Sequence, residues 1–232
     1  MYFTNKYFHL SIYKKKNLNW KYLEKINDIE NVIDIGGAQG TIELVYNFPK
    51  ANYYYFEPLK SCNEELILFN KKNNINYQIF NVALSNFTGE ATFYVNKLAS
   101  TSSSLNKPEK NNKWSKEKID SIVKTTVPVD KLCNFKEKIN FDNSIVKIDA
   151  EGSEFNILKG MDDEIFEKVK FFVLEINFAI KRRENECAFD EIFMLLRSKN
   201  FKLAGVISLN SFVKAHQGDF LFCKKDDNRS FF

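Results

Sequence analysis

With 232 residues, 44% of them hydrophobic and 15% aromatic, the chain has the size of one domain burying roughly 70% of its extended surface, so folding requires neither disulfides nor metal. Its net charge of +4 comes almost entirely from lysine, arginine standing only at 182, 183, 197 and 229, a pattern of solvated surface rather than of a nucleic-acid face. Cys62, Cys133, Cys187 and Cys223 form no C-x-x-C pair and have only His9 and His216 for company, which excludes a zinc-ligand cluster, and no apolar run reaches bilayer-spanning length.

The start, Met1 to Leu10, is too broken by polar residues for a signal-peptide core, so a cytoplasmic location is expected. Residues 1–30 read as an aromatic, basic extension that caps the core, with Trp20, Leu23 and Ile26 at helical spacing near Asn19 to Ile26. The main domain spans 31–225, and 226–232 form a short tail. Its first strand, Asn31 to Ile35, runs into a helix beginning near Gln39. A second strand covers Asn52 to Phe56, followed by a helix from about Ser61 to Lys71. A third covers Tyr77 to Asn81 and passes into Val82-Ala-Leu-Ser85.

Ala91 to Val95 alternates as a short antiparallel strand after the turn at Thr88-Gly89. Leu98 to Lys118 is a Ser/Asn/Lys stretch of the length used for lids and binding loops. Pro128 makes Thr126 to Val129 an expected edge strand. Ser144 to Asp149 is a further strand, ending in Asp149-Ala-Glu-Gly-Ser-Glu154 where a helix begins, capped by Ser153 or the preceding turn. Phe171 to Ile176 is a strand, Ala188 to Lys199 an amphipathic helix, and Phe201 to Ile207 with Asp219 to Cys223 a terminal hairpin. Strands alternating with helices predict a doubly wound sheet with its site at the carboxyl ends of the strands.

Two of those strand ends carry the chemistry. Asp34 precedes Gly36, Gly37 and Gly40, and Glu57 ends the second strand. Glycines there let the backbone approach a ligand closely, while the two carboxylates can accept hydrogen bonds from ribose hydroxyls or a charged amino-acid tail. The spacing is G-G-x-x-G, not the G-x-G-x-x-G of dinucleotide sites. An acidic residue two places before the first glycine suits a positively charged cofactor such as S-adenosylmethionine better than a nicotinamide dinucleotide. An NAD(P)-dependent oxidoreductase and a catalytically silent cofactor-binding protein are the alternatives.

In order along the chain, Asp34-Ile-Gly-Gly-Ala-Gln-Gly40, Phe56-Glu57-Pro58, Asn81-Val-Ala-Leu-Ser85, Gly89-Glu-Ala-Thr-Phe-Tyr94, Ser102-Ser-Ser-Leu105, Val127-Pro-Val129 and Lys147-Ile-Asp-Ala-Glu-Gly-Ser-Glu154, continued by Leu158-Lys-Gly160, make a set that resembles the FkbM-type S-adenosylmethionine-dependent methyltransferases. The resemblance implies a Rossmann-like class I fold: a seven-stranded sheet with its last strand antiparallel and helices on both faces. It also implies O-methylation of a sugar or sugar-derived hydroxyl, as in bacterial capsule or lipooligosaccharide biosynthesis. Asp34, Gly36, Gly37, Gly40, Glu57, Asn81 and Ala83 are then the expected cofactor-binding residues. The loop has Gly37-Ala38 where the family usually has Ala-Asn. Asn177 stands where a histidine often follows the strand-five glutamate.

A sugar hydroxyl is a weak acid, so a positioned base assists its attack. Asp149 is the first candidate, Glu175 the second, and Lys147, two residues before Asp149 on the same strand face, would hold that carboxylate ionised. Asp149, Glu175 and Asn177 also offer oxygen to magnesium, but nothing in the sequence demands a metal. Ser102 to Ser104 are candidate hydroxyl donors to the acceptor. His216 reads as a surface residue and His9 as structural.

Overall fold

A computed structural model describes residues 18–109, 114–178, 182–211 and 215–229. His9 and most of the expected N-terminal extension lie outside them. Strands β1 (Asn31–Ile35), β2 (Asn52–Phe56) and β3 (Asn76–Phe80) alternate with helices α1 (Ile42–Asn47) and α2 (Lys60–Asn73). The short β4 (Ala83–Leu84) and β5 (Gly89–Asn96) follow, then α3 (Lys116–Asp120) and β6 (Ile122–Asp130). Next come β7 (Ser144–Ile148), α4 (Glu154–Lys159), α5 (Asp163–Lys168), β8 (Val169–Asn177), α6 (Phe189–Ser198), β9 (Phe201–Leu209) and β10 (Gln217–Lys224).

The main sheet has the order β3-β2-β1-β7-β8-β10-β9. Its strands are parallel except β10, which runs against both β8 and β9. The expected seven-stranded sheet with a lone antiparallel last strand is therefore observed. Its central strands are buried on both faces, which is why β1 and β7 are mostly apolar, with Asp34 and Lys147 the charged residues inside them. Ile33, Ile35, Val146 and Ile148 face one core with α4, α5 and α6; Val32, Ile145, Val173 and Leu221 face the other with α1 and α2.

Trp20, Leu23 and Ile26 enter that second core, as their spacing predicted, the first two from a 3-10 helix at Leu18–Lys25 and Ile26 directly after it. At the other end of the chain, Arg229 reaches back to Asp28 at 3.0 Å and stacks over Phe171.

A second sheet, β4-β6-β5, stands beside the first. The expected edge strand around Pro128 is here the middle one. The reconciliation is local: β4 pairs only with Val129 and Asp130, so β6 remains uncovered on that side at Pro128. Helix α1 starts at Ile42, three residues later than the glycines suggested, because Gly40 has φ +85° and keeps the turn non-helical until Thr41.

Candidate active site

A cavity opens where the carboxyl ends of β1, β2 and β7 meet the small sheet. Gly36 and Ala38 line it from the first turn, Glu57 and Pro58 from the second, and Asp149, Ala150 and Ser153 from the turn before α4. Phe56, Ala83, Leu84, Phe93 and Ile157 supply an apolar surface; Ser100, Thr101, Ser103 and Leu105 close the side. Of the expected site residues, Gly36, Glu57, Ala83 and Asp149 are on this wall.

The first turn is shaped by crowding. Gly36 has φ +77°, and a Cβ there would sit 2.0 Å from the Asp149 carbonyl oxygen, so β1 and β7 approach too closely at this point for any side chain. At Gly40, with φ +85°, the obstacle is the Phe69 ring: a Cβ would come within 2.4 Å of it, so the missing side chain lets α2 pack against the turn. Gly37 lies over Asp34 and Tyr55. Gly37 and Gly40 thus shape the loop from behind.

Asp34 is fully buried beneath that loop. Its Oδ2 accepts from Thr41 Oγ1 at 2.9 Å, while Oδ1 has no hydrogen-bond partner and lies 3.9 Å from Lys147 Nζ. Burial pushes its carboxyl above the usual range, against the pull of Lys147 and Thr41. Asn81 holds the second turn, its Nδ2 donating to the Glu57 and Pro58 carbonyls at 3.0 and 2.7 Å. Glu57 is 5% exposed and accepts from the Leu59 N–H at 2.8 Å. Burial raises its pKa to about 7.

On the other side the register sets three carboxylates on adjacent strands. Ile148 pairs with Leu174, so Asp149 stands beside Glu175, and Glu175 is opposite Asp219 on β10. Asp149 is 32% exposed at its side chain and meets Lys147 Nζ at 3.0 Å. Burial alone would discharge Lys147, but Asp149, Asp34 and Asp219 around it outweigh that and hold it as a cation. Glu175 is driven well above the carboxylate range by burial first and then by Asp149, Glu151 and Asp219; its cation is Arg182, 3.8 Å away. Asp219, which burial also pushes up, accepts from Ser208 Oγ at 2.5 Å.

The turn itself folds back on a buried glutamate. Glu154 Oε1 accepts from the N–H groups of Ala150 and Gly152 at 2.9 and 3.1 Å, and Ser153 at the N-cap makes no side-chain cap bond. Burial lifts Glu154 to about 7. Among Ser102 to Ser104, Ser104 Oγ is occupied by the Ala150 and Glu151 carbonyls and Ser103 Oγ by the Asn96 N–H. Ser104 spends its proton on that turn and so is not the acceptor donor its sequence suggested, whereas Ser103, which only accepts here, lines the cavity. His216 contacts Asn210 in the β9–β10 connection.

Sequence reasoning missed Asp219, Glu154 and the walls at Phe93 and Thr101. Asp219 sits in the alternation of a strand whose register only pairing reveals. Among the described residues no group of three or more His, Cys, Asp or Glu side chains is placed to hold a metal ion, and no helix is long and apolar enough to cross a membrane.

No curated protein matches the chain. In structure it is similar to an FkbM methyltransferase from Methylobacillus flagellatus (TM-score 0.54, 13% identity, 84% of this chain), of which it spans only 44%. It is also similar to M. capricolum TrmK in complex with S-adenosylhomocysteine (TM-score 0.50, 12% identity, 89% of this chain and 67% of that one). Both likenesses concern the fold. The decisive match is to the family described as "Methyltransferase FkbM domain", over residues 34–203, the stretch holding every wall of the cavity. The chain therefore belongs to the FkbM methyltransferase family.

Proposed function

We propose that this S-adenosylmethionine-dependent methyltransferase alkylates a hydroxyl of a sugar or sugar-derived intermediate, in the cytoplasm, during assembly of a bacterial surface polysaccharide. The observation that carries the reading is Asp149: partly exposed on the cavity wall and held 3.0 Å from a buried lysine. Its side chain stands at the point where β7 meets the glycine turn.

The donor set suits the cofactor. Glu57 offers carboxylate oxygen to ribose hydroxyls, and Phe56, Ala83, Leu84 and Ile157 offer apolar surface to a base. Asp34, with one oxygen unpartnered, leaves a hydrogen-bond acceptor beneath the glycine loop, and Gly36 brings that backbone to the cavity. Gly37, Gly40 and Asn81 keep the two turns in shape. The bound cofactor supplies an electrophilic methyl group. This chain's residues then orient the acceptor hydroxyl and take its proton on Asp149, with Lys147 stabilising the carboxylate before transfer. Glu175 is the neighbouring candidate, but burial and three adjacent carboxylates favour its protonated form, which donates a hydrogen bond rather than accepting a proton.

Mass spectrometry of cell-surface glycans with and without the protein tests the substrate class. Loss of the mass of one CH₂ group from a glycan, restored by wild-type protein and not by Asp149→Asn, is the expected result. An unchanged glycan profile, with methylation lost from another class of molecule, would overturn it.

A further inference from the structure

In a chain that uses lysine for nearly all its positive charge, Arg183 is 1% exposed. Its Nη1 donates to the Asn106 carbonyl at 3.1 Å and its Nη2 to the Ser102 carbonyl at 2.5 Å. Nη2 also lies 3.6 Å from Glu151 Oε2, and the guanidinium carbon is 4.9 Å from the centre of the Trp114 ring. The main chain joins in the same place: Pro108 bridges Arg183, Glu109 N–H donates to the Arg182 carbonyl at 2.9 Å, and Glu184 N–H to the Lys107 carbonyl at 2.7 Å.

Behind Arg183 stands Glu186, 4% exposed. Its Oε2 accepts from the N–H groups of Arg182 and Arg183 at 2.7 and 3.2 Å, and its Oε1 from Asn177 Nδ2 at the end of β8. A continuous polar path thus runs from β8 through Glu186 and Arg183 to two carbonyls of the serine loop. Ser103 and Leu105, which line the cavity, lie between those carbonyls. Across the loop, Asn106 Nδ2 donates to the Gly152 carbonyl at 2.6 Å and Ser104 Oγ to that of Glu151 at 2.9 Å.

We infer that Arg183, held by Glu186, is a positioning residue that clamps the Ser100–Asn106 wall onto the turn following Asp149 and so sets the shape of the cofactor cavity. Two facts oppose a role in stability alone. A buried guanidinium is seldom more stabilising than an apolar side chain of its size, and Arg183 Nε has no hydrogen-bond partner. What arginine provides here is geometry: a planar fork reaching two carbonyls four residues apart, with its charge against Glu151, which one ammonium cannot reproduce.

The inference rests on the cavity being the cofactor site, and its test separates the two. Calorimetry with S-adenosylhomocysteine is run on the wild type, Arg183→Met, Arg183→Lys and Ile165→Ala, a core substitution at a residue that does not line the cavity, each below its melting temperature. No binding by the wild type would overturn the cofactor reading itself. With the wild type binding, Arg183→Met is expected to lose about 10–100-fold in affinity, the scale of charge-assisted hydrogen bonds. Arg183→Lys, which keeps the charge and folds even if the methionine variant does not, should lose less, roughly 3–10-fold. Ile165→Ala should melt earlier yet bind normally. Wild-type affinity in Arg183→Lys, or an equal loss in Ile165→Ala, would overturn the positioning role.

Discussion

At the carboxyl edge of the sheet, the β1–β2 side and the β7–β8–β10 side are shaped by different forces. The first is made by backbone: Gly36 lets β1 come within reach of β7, Asn81 ties two carbonyls of the second turn, and Glu57 is the one carboxylate on its wall. The second is made by charge: Asp149, Glu175, Asp219 and Glu151 share Lys147, Arg182 and Arg183. A cofactor common to many proteins can be met by fixed turns. A reacting hydroxyl needs groups whose protonation is controlled, and control comes from burial and neighbours.

Substitutions that strike one side and spare the other test this division. Asp149→Asn keeps the shape and removes the proton acceptor, so turnover should fall roughly 10²–10⁴-fold. S-adenosylhomocysteine affinity by calorimetry should stay near that of the wild type. A parallel fall in affinity would show that the two sides are not separable. Lys147→Met leaves Asp34 and Asp149 without their shared cation, and breaking a buried pair in this way costs about 3–5 kcal/mol. Urea unfolding measures it; a stability unchanged from wild type would mean that the pair is not held by that lysine.

A sharper contrast comes from pH. Glu57 and Glu154 are lifted by burial from 4.5 to about 7 in the folded state. Between those values the unfolded chain releases protons that the folded chain keeps. Their stabilisation is therefore complete below about pH 4.5 and lost as pH rises through 7, by about 3 kcal/mol for each glutamate. The apo protein should melt earlier at pH 8 than at pH 5.5, and Glu57→Gln together with Glu154→Gln should flatten that slope. Glu57→Ala should weaken S-adenosylhomocysteine binding by about 1–3 kcal/mol, the cost of a lost charged acceptor, while leaving the Asp149 side intact. The smallest effect is expected for His216→Asn, within about 0.5 kcal/mol in stability as for other surface positions, with turnover unchanged. A large loss of turnover would place a titratable group on the acceptor side that the carboxylate row does not account for.

Local rules were enough for the elements on which the fold rests. Apolar runs at Asn31–Ile35 and Ser144–Ile148, each closed by a polar residue and a glycine-bearing turn, announce buried parallel strands ending at a site, and the spacing of Trp20, Leu23 and Ile26 announces a face turned inward. The same reasoning placed Asp149 and Glu57 on one cavity because each ends a strand on the same edge of the sheet. It could not see Asp219 beside Glu175, since antiparallel register depends on where a hairpin closes. Nor could it see that Ser104 and Asn106 are anchored rather than free. The residue-level signal for that anchor was present, an arginine pair in a lysine-rich chain, but its meaning depends on which carbonyls it reaches.

Residue order alone thus carried everything that depends on contacts between near neighbours: strand and helix periodicity, the glycine turn, the acidic strand ends, and through their sequence along the chain the methyltransferase family. Beyond the Lys147–Asp149 pair, the electrostatics came only with folding: which carboxyls burial pushes up, that Asp34 and Asp219 also surround that lysine, and that the serine loop is a fixed wall. Burial and charge pairing join residues as far apart as Ser102 and Arg183. Their energies depend on separation in space and on exclusion of water, and a linear pattern of residue types specifies neither.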